Sequence, residues 1–249
     1  MIETFRSEFT ANPLDFDLGF MGPLDDLHSP KGIIAEAEAK MARLYGARNS
    51  FFLTNGSTCG LMALLLSEIK PGEAVVVPRN VHRAVLHGMI LSGAVPRFVD
   101  TGLDPVTGLP LPLDPKAIAG PLMDGVSAVF PVSPTYHGLI ADVAGIAQRA
   151  RNRGALIFVD EAHGAHLPFT GLAQFSGLAA GAHAVVQSAH KTLQAFTPGA
   201  LLHVAQDGPT SDRLRAALRI TQSSSANYAL LASLDSRGPS WHRGPNPPD

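Results

Sequence analysis

Seven short apolar runs divide this sequence: residues 50–54 (SFFLT), 74–78 (AVVVP), 95–99 (VPRFV), 126–130 (VSAVF), 155–160 (ALIFVD), 184–188 (AVVQS) and 200–204 (ALLHV). Most are continuously apolar rather than alternating, which is the pattern of strands buried on both faces. Helical patterns separate several of them. In GIIAEAEAKMARLYG, Ile33, Ile34, Ala37, Met41, Leu44 and Tyr45 share one stripe, and Gly46 supplies a C-terminal stop. The segments STCGLMALLLSEI and VHRAVLHGMILSG read the same way. This alternation predicts an α/β fold, a mainly parallel seven-stranded sheet flanked by helices. In such sheets ligands bind beyond the carboxyl ends of the strands.

Composition narrows the class. The chain is 45% hydrophobic and 16% charged, enough apolar material for a large core and too little charge for a disordered chain. A formal net charge of −2 without a basic patch argues against nucleic acid as a partner. The single cysteine, Cys59, excludes an internal disulfide and fits a reducing compartment. MIETFRSEFT has no apolar core of a signal peptide, and no apolar run approaches the ~18 residues of a membrane span. The expectation is a soluble, cytoplasmic protein with no membrane partner. Residues 100–122, rich in Pro and Gly, read as a long surface connection. The helical pattern NYALLASLDS stops before SRGPSWHRGPNPPD, where Gly and Pro crowd around the only Trp. The chain thus divides into an N-terminal segment (1–30), a large domain (31–235) and a disordered or aberrant tail (236–249).

The strand ends carry the chemistry. After the first strand, TNGSTCG opens a helix. Gly56 permits a tight turn, and Ser57 and Thr58 place hydroxyls and N–H groups where an anion can bind, or simply cap the helix. After the second, PRNVHRAV places His82 near a helix start, as a polar loop residue or a flat surface for stacking. After the fifth, VDEAHGAH ends an apolar run on Asp160, which can cap a helix, sit in solvent or hold a protonated ring nitrogen. Ala162 is small enough to let a flat group approach. His163 and His166 stand three apart with no strong third ligand nearby, so no metal site is expected. After the sixth, AVVQSAHKTL presents Ser188, His190 and Lys191, one of only five lysines. Lys191 is either a surface residue just past a strand or a desolvated, reactive amine.

Taken in order, these segments resemble the pyridoxal-phosphate enzymes of the aspartate-aminotransferase fold, and more closely the ornithine/lysine/arginine decarboxylase family. The resemblance rests on LHSPKGII, FFLTNGSTCG, PRNVHRAV, SPTYHGLIADV, VDEAHGAH and QSAHKTLQAFTPGALLHV, across about residues 25–204. It implies pyridoxal 5'-phosphate as cofactor, with Lys191 forming the Schiff base and Asp160 pairing with the pyridinium nitrogen. His82 stacks on one face of the ring and Ala162 packs on the other. Ser57, Thr58 and Ser188 bind the phosphate, and His163 and His190 lie beside the cofactor. Lys191, Asp160 and His190 are then the catalytic set.

The activity this resemblance implies is decarboxylation of a basic amino acid, with the protonated ring as electron sink. Aldol cleavage or elimination on the same cofactor, and a non-catalytic remnant, are the alternatives. The implied assembly is a homodimer or higher homo-oligomer. Arg83 and Ala84 depart from the Lys-Ser pair common in the family, and FTPGALLHV from a more polar stretch. Family members continue into a small C-terminal domain that this sequence lacks, which points to truncation.

Overall fold

The computed structural model describes residue 17 and residues 24–122, 125–193 and 195–237. In chain order the elements are α1 (Ile33–Tyr45), β1 (Asn49–Leu53), α2 (Gly56–Glu68), β2 (Ala74–Pro78), α3 (Arg83–Ser92), β3 (Val95–Val99), β4 (Val126–Val129), α4 (Val143–Arg151), β5 (Leu156–Asp160), β6 (Ala184–Gln187), α5 (Ala189–Thr192), β7 (Ala200–Val204), α6 (Ser211–Thr221) and α7 (Tyr228–Arg237). Every apolar run is a strand, with ends within one residue of those expected. The tail expected from residue 236 starts inside α7, and its residues 238–249 lie outside the described residues.

The seven strands form one sheet in the order β1-β7-β6-β5-β4-β2-β3. Strands β3, β2, β4, β5 and β6 pair in parallel. Strand β7 runs against both β6 and β1. Strand β1 therefore shares the common direction, and its carboxyl end lies on the same side as those of β2, β5 and β6.

Alternation along each strand feeds two cores. Val75 and Val77 of β2 pack with Leu61 and Leu65 of α2, Val85 of α3 and Leu218 of α6. Val76 faces the other way, toward Ile146 of α4. Leu113, Ile118 and Leu122 are buried in that second core, so the 100–122 segment is not purely a surface connection; its second half seals one face of the sheet. Each such apolar side chain contributes about 1.5–3 kcal/mol on burial.

Helix α1 corrects the expected stripe. Ile33 is 57% exposed, whereas Glu38 is buried. The reason lies in the edge strand. Glu38 accepts from the outward N–H of Phe52 and pairs with Arg215 of α6, and Gln222 accepts from the outward N–H of Thr54. A buried edge needs acceptors for its free donors, and a carboxylate supplies one where an apolar residue cannot. Gly46 closes α1 in the left-handed conformation, φ 66°, as its position demanded. Among the described residues no helix is long and apolar enough to cross a membrane.

Candidate active site

Loops and helix starts beyond the carboxyl ends of β1, β2, β5 and β6 carry the candidate residues. Helix α2 begins at Gly56, whose φ of 75° admits the sharp turn out of β1. Neither Ser57 nor Thr58 is its cap, because Asn55 stands in the cap position. Both hydroxyl residues instead lie in the first turn, Thr58 exposed and Ser57 half-buried. Ser188, fully buried at the end of β6, donates its hydroxyl to Ser57 Oγ at 2.9 Å. That contact joins two strand ends around the positive end of α2, a natural anion site.

His82 caps α3. Its Nδ1 accepts from Ala84 N–H at 3.1 Å, so the proton of the neutral ring sits on Nε2, and the ring itself is exposed. Asp160 is neither a helix cap nor solvated. It is 3% exposed, and its Oδ1 accepts from Ala162 N–H at 3.1 Å. Burial pushes its pKa up, against the opposing pull of the Ala162 N–H bond and of the nearby Lys191 charge. Ala162 is buried directly beside it.

Lys191 is exposed, in the short helix α5 just past β6, so of its two expected placements it takes the surface one. Its Nζ donates to His163 Nε2 at 3.2 Å. Burial holds the pKa of His163 below its ordinary value, and the nearby positive charge of Lys191 adds to the effect. The ring is therefore a neutral acceptor for the lysine. Tyr136, 80% exposed, meets His163 edge-on at 5.7 Å between ring centres. Nothing in the sequence singled out Tyr136 beyond its place in SPTYHGLIADV. His190 turns away from Lys191: its Nδ1 donates to Gly199 O at 2.9 Å, and its backbone N–H donates to the same oxygen. Its Nε2 is the nitrogen left for any other partner.

This donor set fits pyridoxal phosphate. Among the described residues no cation is hydrogen-bonded to the buried carboxylate of Asp160, so a protonated ring nitrogen would meet its need for a counter-charge. His82 and Lys191 lie within electrostatic reach of it, and the Ser57 and Ser188 hydroxyls bond to each other at the start of α2.

The sequence matches the family model "Orn/Lys/Arg decarboxylase, major domain" over residues 2–239. The chain belongs to that family. It is 35% identical over 237 residues to an arginine decarboxylase of Halalkalibacterium halodurans, covering 94% of this chain and 48% of that protein. It is 30% identical over 262 residues to the lysine decarboxylase LdcA of Pseudomonas aeruginosa, covering 94% and 34%. The solved structure of lysine decarboxylase A from Pseudomonas aeruginosa superposes with a TM-score of 0.84 at 27% identity, covering 96% of this chain and 35% of that one. The chain thus spans about half, or less, of the length of the curated relatives it matches.

Proposed function

We propose that this chain carries the cofactor-binding half of a pyridoxal-phosphate-dependent decarboxylase acting on a basic amino acid, with arginine, lysine or ornithine as substrate. The buried Asp160 carboxylate, held at a strand end within electrostatic reach of Lys191 and His82, carries this reading. The names of the family relatives support the reaction class. When bound, the cofactor supplies an electron sink for the pair left behind as the carboxyl group departs.

The chain's own residues divide the remaining work. Asp160 holds the proton on the ring nitrogen by its negative charge, which is undiluted because water is excluded around it. His82 offers the flat face on one side and Ala162 the space on the other. Ser57, Thr58 and Ser188 bind the phosphate at the start of α2. Lys191 supplies the amine that holds the cofactor, and His163 Nε2 accepts a hydrogen bond from Nζ and so orients that amine. His190, fixed through Nδ1, presents only Nε2 to the site. Lys191, His82 and Thr58 are exposed here, which supports the reading of a homodimer in which a second copy of the chain covers them.

The test is direct. The chain is mixed with pyridoxal phosphate, then with lysine, arginine and ornithine separately, and amine and CO2 are measured. Visible absorbance on cofactor addition and amine from one of the three are expected. A chain that stays colourless overturns the proposal.

A further inference from the structure

A line of polar side chains runs across the sheet where the surrounding positions are apolar. Glu161 follows β5, Gln187 ends β6, His203 lies in β7 and Ser50 in β1, four neighbours in the sheet. All four residues are buried. Glu161 Oε1 accepts from Gly177 N–H at 2.7 Å, and Glu161 Oε2 lies 2.7 Å from Gln187 Nε2. Gln187 Oε1 lies 3.2 Å from His203 Nε2, and His203 Nδ1 lies 2.7 Å from Ser50 Oγ. Tyr45 of α1 stacks on the His203 ring at 4.0 Å and covers the line. Gly177 is required at the far end, because a Cβ there would come within 2.6 Å of Val185 Cγ1.

The β5–β6 ladder continues past both strand ends. Glu161 N–H donates to Val186 O at 2.9 Å, and Ser188 N–H donates to Ala162 O at 3.4 Å. Side chains alternate along it. Asp160 and Ser188 therefore face the cofactor side, and their chain neighbours Glu161 and Gln187 face the opposite side.

The heavy-atom positions admit two proton arrangements, because amide orientation and imidazole tautomer can reverse together. With Glu161 ionised, donation runs from Ser50 through His203 and Gln187 to Glu161, and His203 carries its proton on Nε2. With Glu161 protonated, Glu161 donates to Gln187, turned over so that its oxygen accepts. Gln187 donates to His203 Nε2, and His203 Nδ1–H donates to Ser50. Burial favours the uncharged state and pushes the Glu161 pKa up to about 8, and the neighbouring Asp160 carboxylate pushes in the same direction. The Tyr45 hydroxyl, which also lies within electrostatic reach of Glu161, donates to Ala165 O and adds no positive charge. Burial keeps His203 neutral, at about 3, so it has one proton to place in either arrangement.

We propose that Glu161 is a positioning residue: carrying a proton, it drives a one-way hydrogen-bond chain through Gln187 and His203 to Ser50 that locks the ends of β5 and β6 and so fixes Asp160 relative to Ser188. The functional half of this inference rests on the reading that those two residues contact the cofactor. The chain itself does not.

The experiment uses the full chain without added cofactor, labelled with 15N-histidine, and the His203 signal is assigned with His203→Gln. At pH 7 a protonated Nδ1 and a bare Nε2 are expected for His203. Glu161→Gln preserves the direction of donation, so the tautomer and the exchange rates of the Ala162 and Ser188 amides stay as in wild type. Glu161→Ala cuts the chain, mixes the tautomers and speeds exchange at those two amides at least about tenfold. If Glu161→Ala does not fold, Gln187→Met cuts the next link with the same expected outcome. A protonated Nε2 in wild type, or unchanged tautomer and exchange in the cut variants, overturns the proposal. Pyridoxal phosphate affinity is measured separately on the same samples, and a wild-type chain that does not bind it overturns the functional reading alone.

Discussion

The two sides of the candidate site are built differently. At the ends of β5 and β6, Asp160, Ala162 and Ser188 are buried and tied by ladder and side-chain bonds. Across from them, His82, Lys191 and Thr58 are exposed at helix starts and in the four-residue helix α5. The buried side fixes where a charge must sit before any ligand arrives, which costs no reorganisation at the moment of binding. The exposed side holds the groups that must move or be covered. On the proposed reading, electrostatic placement is a property of the sheet and capture a property of its rim.

The sharpest way to break this contrast is to remove the amine proposed to hold the cofactor. Lys191→Ala is expected to abolish covalent attachment of the cofactor while the fold persists. Borohydride treatment followed by peptide mass mapping checks it, and trapped cofactor elsewhere on the variant would move the attachment point. The next largest effect tests the buried side. Asp160→Asn is expected to retain cofactor but to lower turnover at least about 100-fold, near 3 kcal/mol of barrier, because an amide supplies no counter-charge. Single-turnover kinetics on the loaded variant measures this, and near-normal rates would relieve Asp160 of its role.

A third outcome concerns stability and belongs wholly to the buried side. Glu161 goes from an ordinary 4.5 to about 8 on folding, so the folded state keeps a proton that the unfolded chain releases. Its contribution is complete below 4.5 and is lost as pH rises toward about 8. His163, His183 and His203 are all lowered from 6.5 and act in the opposite sense below that value. Above 6.5 the glutamate effect stands clear of them. The thermal midpoint is expected to fall between pH 6.5 and 8, and to fall less in Glu161→Gln, as calorimetry across that range would register. The smallest effect is at the rim. His82→Ala is expected to weaken cofactor affinity about three- to tenfold, the worth of one aromatic contact at ~0.5–1.5 kcal/mol. Fluorescence titration reads it, and an unchanged affinity would leave the imidazole as a helix cap only.

Most of the fold was legible in the sequence because strands buried on both faces advertise themselves as unbroken apolar runs. The strand-end motifs then indicated where to look. Three features were not legible. Strand β7 reads like its neighbours, since a buried strand has the same composition in either direction, yet it runs against both β6 and β1. Ile33 fits the helical stripe but lies at the start of α1, beyond what the sheet covers. Glu38 breaks the stripe and is nonetheless buried, because the edge strand needs its oxygen. The polar line under the site was signalled, though faintly. Gln187 in AVVQS and His203 in ALLHV are polar residues inside apolar runs, and each demands a buried partner. Only the sheet order shows that they are partners of one another.

The side-chain caps on β1 reach beyond this molecule's own stability. Open strand margins recruit strands from other molecules, and that recruitment propagates into fibrils. Here the outward donors of Phe52 and Thr54 are already taken by Glu38 and Gln222. An incoming strand would have to evict a carboxylate paired with arginine and an amide before forming its first bond. That margin of the sheet is therefore closed to templated growth, and copies of this chain that meet along it must do so through the side chains of the helices beside it.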